Sequence, residues 1–356
     1  RYFNREGRYG EGGAYRDPNS PYRCWYDFGP QYKDGYRSWW GFETLPEIDE
    51  ETPSYVEFIT GPGGVIDTWL RRGAAGFRLD VADELPDEFI EKVRAAVKRV
   101  SPEKFLLGEV WEDATTKFGF NKRRTYLLGK GLDSVMNYPF KNAVLDFVKG
   151  KPAEQAMTEI LTICEHYPAP AMDTALNFLS THDTERALTV IADEPANGRG
   201  RAWQSGRCVT GDAYEEGLLR LRMAYAIIYT LPGVPCLYYG DEIAMQGYRD
   251  PFNRAFFRWD AHEQRLRPVL AQLAQLRHTC EAFRTGQLRV LRAEDGILHY
   301  QRVGKVETAE IIVNRTEHII VETLASGKST EVNPMGFTIV VEEVGHNPDH
   351  SYYDYV

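Results

Sequence analysis

Acidic residues stand at the ends of three patterns that are typical of buried strands. These stretches are GFRLDVADE from Gly76, FLLGEVWE from Phe105 and NFLSTHDTER from Asn177. In a parallel α/β sheet, side chains at the C-terminal strand ends converge on one rim, where α/β enzymes commonly carry out catalysis. Asp80, Glu109 and Asp183 are therefore candidates for a single site.

Cleavage of a glycosidic bond is one reaction that requires such carboxyl groups. One of them protonates the leaving oxygen, while another attacks the sugar or stabilises the oxocarbenium ion. Arg78 lies two positions before Asp80, so both side chains project from the same strand face. A fixed cation keeps a neighbouring carboxylate ionised, as a nucleophile must be. An Arg–Asp pair that only ties adjacent strands together is the alternative.

Glu109 follows an apolar run, Phe105 to Leu107, and precedes Val110 and Trp111. We expect its carboxyl group to lie against apolar and aromatic surface, where the protonated form is favoured and a general acid can work. The alternative is a strand-end glutamate that caps a following helix.

His182 and Asp183 follow the buried run NFLST and place a hydrogen-bond donor beside an anion. Sugar hydroxyl groups suit both partners. The alternative is structural, with Asp183 as a helix N-cap and Glu185 and Arg186 in the first turn.

Composition narrows the class of partner. The 356 residues carry a net charge of −10, which argues against nucleic acid or an anionic membrane surface. No apolar run approaches the roughly 18 residues of a membrane helix. The five cysteines are widely spaced and predict neither a disulfide framework nor a zinc site, which favours a cytoplasmic location. A neutral ligand fits best.

Aromatic residues make up 13% of the chain and bunch in its first forty positions. Flat apolar rings stack well on the CH faces of sugars. For any single ring, packing in a core is the favoured alternative.

The order of elements predicts a parallel sheet with helices outside it. Residues 1 to about 60 indicate a loop-rich excursion without an independent core. The expected strands are Gly76–Val81, Phe105–Val110, Leu132–Met136, Ala175–Ser180 and Cys236–Tyr239. The expected helices are Val65–Arg72, Leu85–Val100, and segments near Pro152–Glu165, Glu215–Leu231 and Glu263–Cys280.

From about Gly286 the pattern changes to short β segments separated by turns. They are Leu298–Gln301, Ala309–Asn314, His318–Leu324 and Phe337–Glu342. They predict a small antiparallel domain, followed by a polar, tyrosine-rich end, Gly345–Val356, that we expect to be mobile.

These motifs resemble conserved regions of the α-amylase family of glycoside hydrolases. GFRLD is similar to the fourth-strand motif with a nucleophile and an arginine, which implies those roles for Asp80 and Arg78. GEVW resembles the fifth-strand motif and implies that Glu109 is the acid/base. FLSTHD resembles the seventh-strand motif, which implies a substrate ligand in His182 and a transition-state stabiliser in Asp183.

Further stretches extend the resemblance over nearly the whole chain. GVPCLYYGDEIAMQG from Gly233 is similar to the eighth strand and its loop. DPFNR places Asp250 and Arg254 where the family often holds a sugar at an outer glycone subsite. VADE, with Glu84, and Trp111 after the acid resemble the cyclomaltodextrinase, neopullulanase and maltogenic-amylase group, and both residues are expected to bind substrate.

Three positions depart from that group. Asp83 stands where the group usually has Asn, and in LPEID, at Leu45–Asp49, Glu47 and Asp49 stand where Lys and Asn are frequent. The resemblance therefore does not fix the subsite preference.

The resemblance implies an α-glucan or maltooligosaccharide substrate and a retaining mechanism. Asp80 would attack the anomeric carbon, Glu109 would protonate the leaving sugar, and Asp183 would hold the distorted ring. The carboxyl groups of Asp80 and Glu109 should then lie roughly 5 to 5.5 Å apart. A non-catalytic relative or truncated fragment is one alternative, and a transglycosylase or isomerase with the same residues is another.

The implied fold is α/β. A family barrel has eight strands, and five are found here, so we expect strands four to eight of a partial TIM (β/α)8 barrel. The expected domains are a loop-rich insertion at 1–60, the C-terminal part of the catalytic barrel at 61–284 and an antiparallel β-sandwich at 285–356. Exposed sheet edges would favour self-association. No cofactor is expected, apart from calcium in an intact parent protein.

Overall fold

A computed structural model describes residues 1–343 and the backbone of the strand Ser351–Tyr353. The expected mobile end, Gly345–Val356, otherwise lies outside the described residues. The chain divides into two units, the first made of Arg1–Glu109 and Thr115–Asp133, the second of Val110–Ala114 and Ser134–Val356.

The helices and strands are numbered in chain order. The α-helices are α1 (Pro53–Thr60), α2 (Val65–Arg71), α3 (Asp87–Val100), α4 (Tyr138–Lys149), α5 (Ala153–His166), α6 (Ala169–Met172), α7 (Ala187–Ala192), α8 (Arg201–Ser205), α9 (Gly211–Thr230), α10 (Leu266–Thr279) and α11 (Ala282–Thr285). The strands are β1 (Gly76–Leu79), β2 (Phe105–Gly108), β3 (Phe118–Gly119), β4 (Lys122–Arg123), β5 (Ser134–Val135), β6 (Leu176–Asn177), β7 (Val234–Pro235), β8 (Gln287–Glu294), β9 (Ile297–Val303), β10 (Glu307–Asn314), β11 (Ile320–Thr323), β12 (Ser329–Val332), β13 (Gly336–Glu343) and β14 (Ser351–Tyr353).

In the first unit, β1 and β2 form a parallel pair whose register sets the positions of two carboxylates. Leu79 is opposite Gly108, and the Glu109 N–H donates to the Leu79 carbonyl at 3.0 Å. Asp80 and Glu109 therefore leave their strands side by side. At the other end of the pair, a Cβ on Gly76 would lie 2.0 Å from the Phe105 carbonyl oxygen, so only glycine fits there.

Helix α3 crosses from β1 to β2 and follows the predicted bounds closely. Its first turn carries Asp87 and Glu88 and its last turn Lys98 and Arg99, as the helix dipole favours. Its buried residues are Asp87, Phe89, Ile90, Val93, Ala96 and Val97. This apolar face packs on α1, α2 and β2 and supports the strand pair from one side.

The expectation that residues 1–60 lack an independent core is wrong. Their buried cluster consists of Phe3, Ala14, Trp25, Tyr26 and Tyr36. Tyr55 and Phe58 of α1, a helix that the sequence analysis missed, pack against it. Most early aromatic residues therefore pack in a core, although Trp40 and Phe42 are exposed.

In the second unit, short parallel pairings repeat the expected strand order. Met136 bridges to Leu176, and β6 pairs with β7 with Leu176 opposite Val234. The predicted strand Cys236–Tyr239 is wrong, because β7 ends at Pro235. Beyond it the Tyr238 and Tyr239 rings turn onto the Arg186 guanidinium, at 4.8 and 4.9 Å.

Helix α4 was also missed by the sequence analysis. The Asn137 side chain caps it by accepting from the Phe140 N–H at 3.3 Å, and Pro139 lies in its first turn. α4 packs on α5 and α9, and eight of its 12 residues are buried.

The C-terminal region forms the expected antiparallel sheet, in the order β14-β13-β10-β9-β8. The hairpin β11-β12 packs against it through Leu324 and Val332, which join a core with Ile297, Ile312 and Val340. The sequence analysis missed β8 and β12. Within the part of the chain that the structure describes, no helix has the length and apolarity needed to cross a membrane.

Candidate active site

A single arginine links two of the three candidate carboxylates. The Arg78 Nη1 atom lies 2.7 Å from Asp80 Oδ1, and its Nη2 atom lies 2.8 Å from Glu109 Oε2. Arg78 thus ties β1 to β2 through Glu109, whereas its pair with Asp80 lies at the end of a single strand and is not the cross-strand Arg–Asp pair of the alternative. The distance between the two carboxyl groups stays a prediction.

The two carboxylates differ strongly in exposure. The Asp80 side chain is 74% exposed, whereas that of Glu109 is 4% exposed. The Glu109 carboxylate also accepts from the Val81 N–H at 2.9 Å. The expected apolar surroundings of Glu109 are therefore wrong, because a cation and a backbone donor contact its buried carboxylate. No helix begins among residues 110–137, so the alternative of a glutamate that caps a following helix is wrong.

The loop after Asp80 is fixed by a buried arginine. Val81 has left-handed backbone angles (φ 42°, ψ 53°), and a 3-10 turn follows at Ala82–Glu84. Arg124, whose side chain is fully buried, donates to the Asp83 carbonyl at 2.7 Å and to the Asp87 carboxylate at 2.8 Å. Arg124 thereby links the loop after Asp80 to the first residue of α3.

Asp83, the residue that departs from the family pattern, has two partners in the same unit. Lys117 Nζ lies 2.8 Å from its carboxylate, and the Tyr126 hydroxyl donates to it at 3.0 Å. The negative charge of Asp83 is therefore paired within the first unit.

Glu84 is held by indole groups, which sequence reasoning did not anticipate. Trp39 Nε1 donates to Glu84 Oε2, and Trp40 Nε1 donates to Glu84 Oε1 at 2.9 Å. The double tryptophan of RSWWGF was the available signal. The loop that follows Asp80 is thus attached to an exposed aromatic turn.

In the second unit, Asp183 and three other predicted site residues form one cluster. His182 Nε2 lies 3.0 Å from Asp183 Oδ2, and Arg254 Nη2 lies 3.1 Å from Asp183 Oδ1. Arg254 also pairs with Asp250 at 3.4 Å and donates to the His182 carbonyl at 2.8 Å. The structure therefore brings His182, Asp183, Asp250 and Arg254 together. The expected helix N-cap by Asp183 is wrong, because α7 begins later, with Arg186 at its N-cap position.

Asn253 stabilises the turn that carries His182 and Asp183. The sequence analysis missed this residue. Its side chain is buried, and Nδ2 donates to the carbonyls of Thr181, His182 and Thr184 at 3.3, 2.8 and 2.8 Å. Its position directly before Arg254 in DPFNR was the available signal. One amide group thus ties together three carbonyls of the turn that presents Asp183.

A buried ion pair lies deeper in the same unit. Arg186 Nη1 is 3.1 Å from Asp241 Oδ1, and the Tyr225 hydroxyl donates to Asp241 Oδ2 at 2.6 Å. Burial raises the pKa of Asp241 above its usual value, despite the opposing effect of hydrogen bonds from Ser180, Tyr225 and Arg186. This network anchors the residues between Ser180 and α7.

Trp111 lies in the second unit and stacks on the buried Tyr138 ring, with centroids 4.3 Å apart and an interplanar angle of 14°. Trp111 is 44% exposed, so it can present a ring face to solvent.

Among the described residues, no group of three or more His, Cys, Asp or Glu side chains is arranged to hold a metal ion.

The model of the alpha amylase catalytic domain matches residues 2–284. The chain belongs to the α-amylase family. Its fold is accordingly that of an α-amylase catalytic domain, of TIM-barrel type, followed by an antiparallel C-terminal sheet.

Curated relatives agree with the subgroup that the motifs indicated. An amylopullulanase of Thermoanaerobacter thermohydrosulfuricus is 33% identical over 340 residues, which cover 85% of this chain and 21% of that protein. A cyclomaltodextrinase of Geobacillus thermopakistaniensis is 31% identical over 323 residues, covering 82% of this chain and 50% of the relative. Others are named neopullulanase and maltogenic α-amylase. The chain thus spans half the length of these two relatives or less.

Among solved structures, the cyclic α-maltosyl-(1→6)-maltose hydrolase of Arthrobacter globiformis superimposes with a TM-score of 0.77. The match covers 93% of this chain and 70% of that one, at 23% identity. This likeness concerns the fold.

Proposed function

We propose that this α-amylase family chain carries the catalytic carboxylates of a retaining glycoside hydrolase. Its substrates would be the α-glucosidic bonds of maltooligosaccharides, cyclodextrins or related α-glucans. The observation that carries the proposal is the placement of Asp80 and Glu109 on the two terminal nitrogens of Arg78. Names of relatives such as amylopullulanase and cyclomaltodextrinase support the substrate class.

The difference in exposure between Asp80 and Glu109 fits their proposed roles as nucleophile and acid/base. A nucleophile must be reached by the anomeric carbon, and the exposed Asp80 carboxylate allows this approach. Glu109 is shielded from bulk water and delivers a proton to the leaving oxygen, which breaks the glycosidic bond as the Asp80 ester forms. Water then attacks the ester, Glu109 takes the proton from that water, and Asp80 is regenerated.

Other residues have proposed roles in binding. The family resemblance assigns to Asp183 the stabilisation of the distorted ring and to His182 a contact with sugar hydroxyl groups. Arg254 orients Asp183 and, with Asp250, would bind an outer glucosyl unit. Trp111 would stack on a sugar ring.

Finer features of the architecture are also proposals. We infer that β1, β2, β5, β6 and β7 correspond to strands four to eight of the family barrel. The domain limits 1–60, 61–284 and 285–356, a calcium site, self-association and a cytoplasmic location remain predictions. A non-catalytic role is disfavoured by the presence of all three carboxylates.

The experiment is a Glu109→Gln substitution in the 356-residue chain, assayed for release of reducing sugar from cyclodextrin, maltotriose and pullulan. The amide preserves the shape but cannot donate the proton, so kcat should fall roughly 100- to 10,000-fold. Glu112→Gln, three residues further on and exposed, is the matched control. Turnover by Glu109→Gln at the wild-type rate would remove Glu109 from the mechanism.

The leaving group provides a second readout. An aryl α-glucoside with an acidic phenol needs little protonation, so Glu109→Gln should form the glycosyl ester on it but hydrolyse that ester slowly. A burst of phenol followed by slow turnover is expected. Asp80→Asn should give no burst, because no ester can form.

A further inference from the structure

We infer that Trp39, Trp40 and Phe42 form an aromatic platform that binds a glucosyl ring of the substrate by stacking, next to the loop that follows Asp80. The inference rests on the proposed function, since it assumes an α-glucan ligand. It adds a binding surface in the first unit and gives Glu84 a positioning role, orienting rings instead of contacting sugar directly.

The exposure of the platform is the first observation. Trp40 is 77% exposed and Phe42 is 56% exposed, although most other aromatic residues of this region pack in its core. The Trp39 ring lies 5.5 Å from Trp40 and 6.4 Å from Phe42, with interplanar angles of 36° and 28°. These rings therefore form a contiguous apolar surface of a kind that favours the CH faces of sugars.

Backbone hydrogen bonds close the turn that carries the platform. The Trp39 N–H donates to the Leu45 carbonyl at 2.9 Å, and the Leu45 N–H returns to the Phe42 carbonyl at 2.9 Å. Trp40 has left-handed backbone angles, φ 51° and ψ 23°, which a large side chain rarely adopts. Such strain persists where the surroundings enforce it, and it is concentrated at ligand-binding positions.

The attachment to the loop after Asp80 is the third observation. The two carboxylate oxygens of Glu84 accept separately from the indole nitrogens of Trp39 and Trp40. Glu84 ends the 3-10 turn that begins two residues after Asp80. A sugar stacked on the platform would thus lie near the proposed nucleophile, Asp80. The tryptophan rings of the platform would be oriented by the same loop to which Arg124 donates a hydrogen bond.

The test measures binding without turnover. In an Asp80→Asn background, maltotriose and β-cyclodextrin are titrated while tryptophan fluorescence and heat are recorded. Trp40→Ala and Phe42→Ala should each raise Kd, by about tenfold for Trp40. The matched control is Trp69→Ala, an exposed tryptophan of α2 in the same unit, which should leave Kd unchanged.

Glu84→Gln tests the positioning role. The amide retains one acceptor oxygen, so one indole N–H loses its partner, and the tryptophan emission of the ligand-free protein should change along with a smaller rise in Kd. Wild-type affinity in both Trp40→Ala and Phe42→Ala would overturn the inference, as would an Asp80→Asn chain that binds neither sugar. Hydrolysis by the chain with its native Asp80 tests the proposed function separately: binding without hydrolysis would overturn that function and leave the platform standing.

Discussion

Arg78 and Glu109 form an ion pair in which Nη2 lies 2.8 Å from Oε2, although the glutamate side chain is only 4% exposed. The same guanidinium holds the exposed Asp80 carboxylate through its other terminal nitrogen. The planar fork of arginine can serve two carboxylates at once, which a lysine ammonium cannot do in fixed geometry. One side chain therefore contacts both Asp80 and Glu109 and contributes to the orientation of the two carboxylates relative to each other.

Arg78→Lys should keep the positive charge but lose this orientation. A displacement of about 1 Å at a reacting group can cost roughly 100-fold in rate, and we expect a fall in kcat of that order. Steady-state kinetics on maltotriose measures it, with a thermal melt to confirm folding. Arg71→Lys, on a 70% exposed side chain of α2, is the control. A kcat within threefold of wild type would contradict the orienting role.

Asn253→Asp should disrupt the turn that presents Asp183. The substitution replaces the Nδ2 donor by an oxygen that faces the carbonyls of Thr181, His182 and Thr184. The loss of a buried donor should cost about 2 kcal/mol in the free energy of unfolding. If the turn orients Asp183, kcat should also fall, and circular dichroism with kinetics separates the two effects.

Asn253→Ser tests whether the Asn253 amide is what stabilises this turn. The smaller hydroxyl retains a donor but reaches fewer carbonyls, so both effects should be intermediate. Equal stability and kcat for the wild-type, Asp and Ser forms would show that the turn does not need the Asn253 hydrogen bonds.

Asp133 should make the first unit sensitive to acid. Burial alone would raise the pKa of Asp133, but hydrogen bonds from Lys98, Arg94 and the Leu106 N–H together lower it below its usual value of 3.8. Because the folded-state pKa is the lower one, the stabilisation is complete above pH 3.8 and is lost as the pH falls through the folded-state value.

Urea unfolding from pH 7 to pH 2.5 measures this effect. Asp133→Asn should cost about 2 kcal/mol at neutral pH, and its difference from wild type should shrink below pH 3.8. Glu103→Gln, an exposed position before β2, is the control. A difference that stays constant with pH would mean that the carboxylate charge contributes nothing.

The positions of Arg78, Asp80 and Glu109 could be predicted because strand patterns are local and parallel register then determines which residues emerge together. The pairing of the buried Glu109 with Arg78 was not predicted, since an apolar run before a strand end does not reveal a cation from the neighbouring strand. Asn253 was overlooked for the same reason: its three carbonyl partners are about seventy positions away in sequence.

Element prediction failed where a short segment is governed by tertiary contacts. Residues 236–239 have the composition of a strand, yet the Tyr238 and Tyr239 rings stack on Arg186, and the chain leaves the sheet after Pro235. Helix α4, in contrast, had local signals in its Asn137 cap and its early proline, and these could have been used.

Arg124 and Asp87 form a buried pair that contacts the loop after Asp80 through the Asp83 carbonyl. Arg124 Nε donates to Asp87 Oδ1 at 2.8 Å, and the two side chains are 0% and 9% exposed. Arg124→Met leaves a buried carboxylate with reduced compensation, and we expect a loss of about 3 to 5 kcal/mol in the free energy of unfolding. Adding Asp87→Asn removes that charge, so the double variant should be less unstable than the sum of the single variants.

A double-mutant cycle by urea unfolding gives the coupling free energy, which should exceed about 1 kcal/mol for groups in direct contact. Arg124 also donates to the Asp83 carbonyl, so the double variant should still show a weakened loop and a raised KM. Strict additivity, with no coupling between the two substitutions, would show that Arg124 acts through the loop carbonyls and not through Asp87.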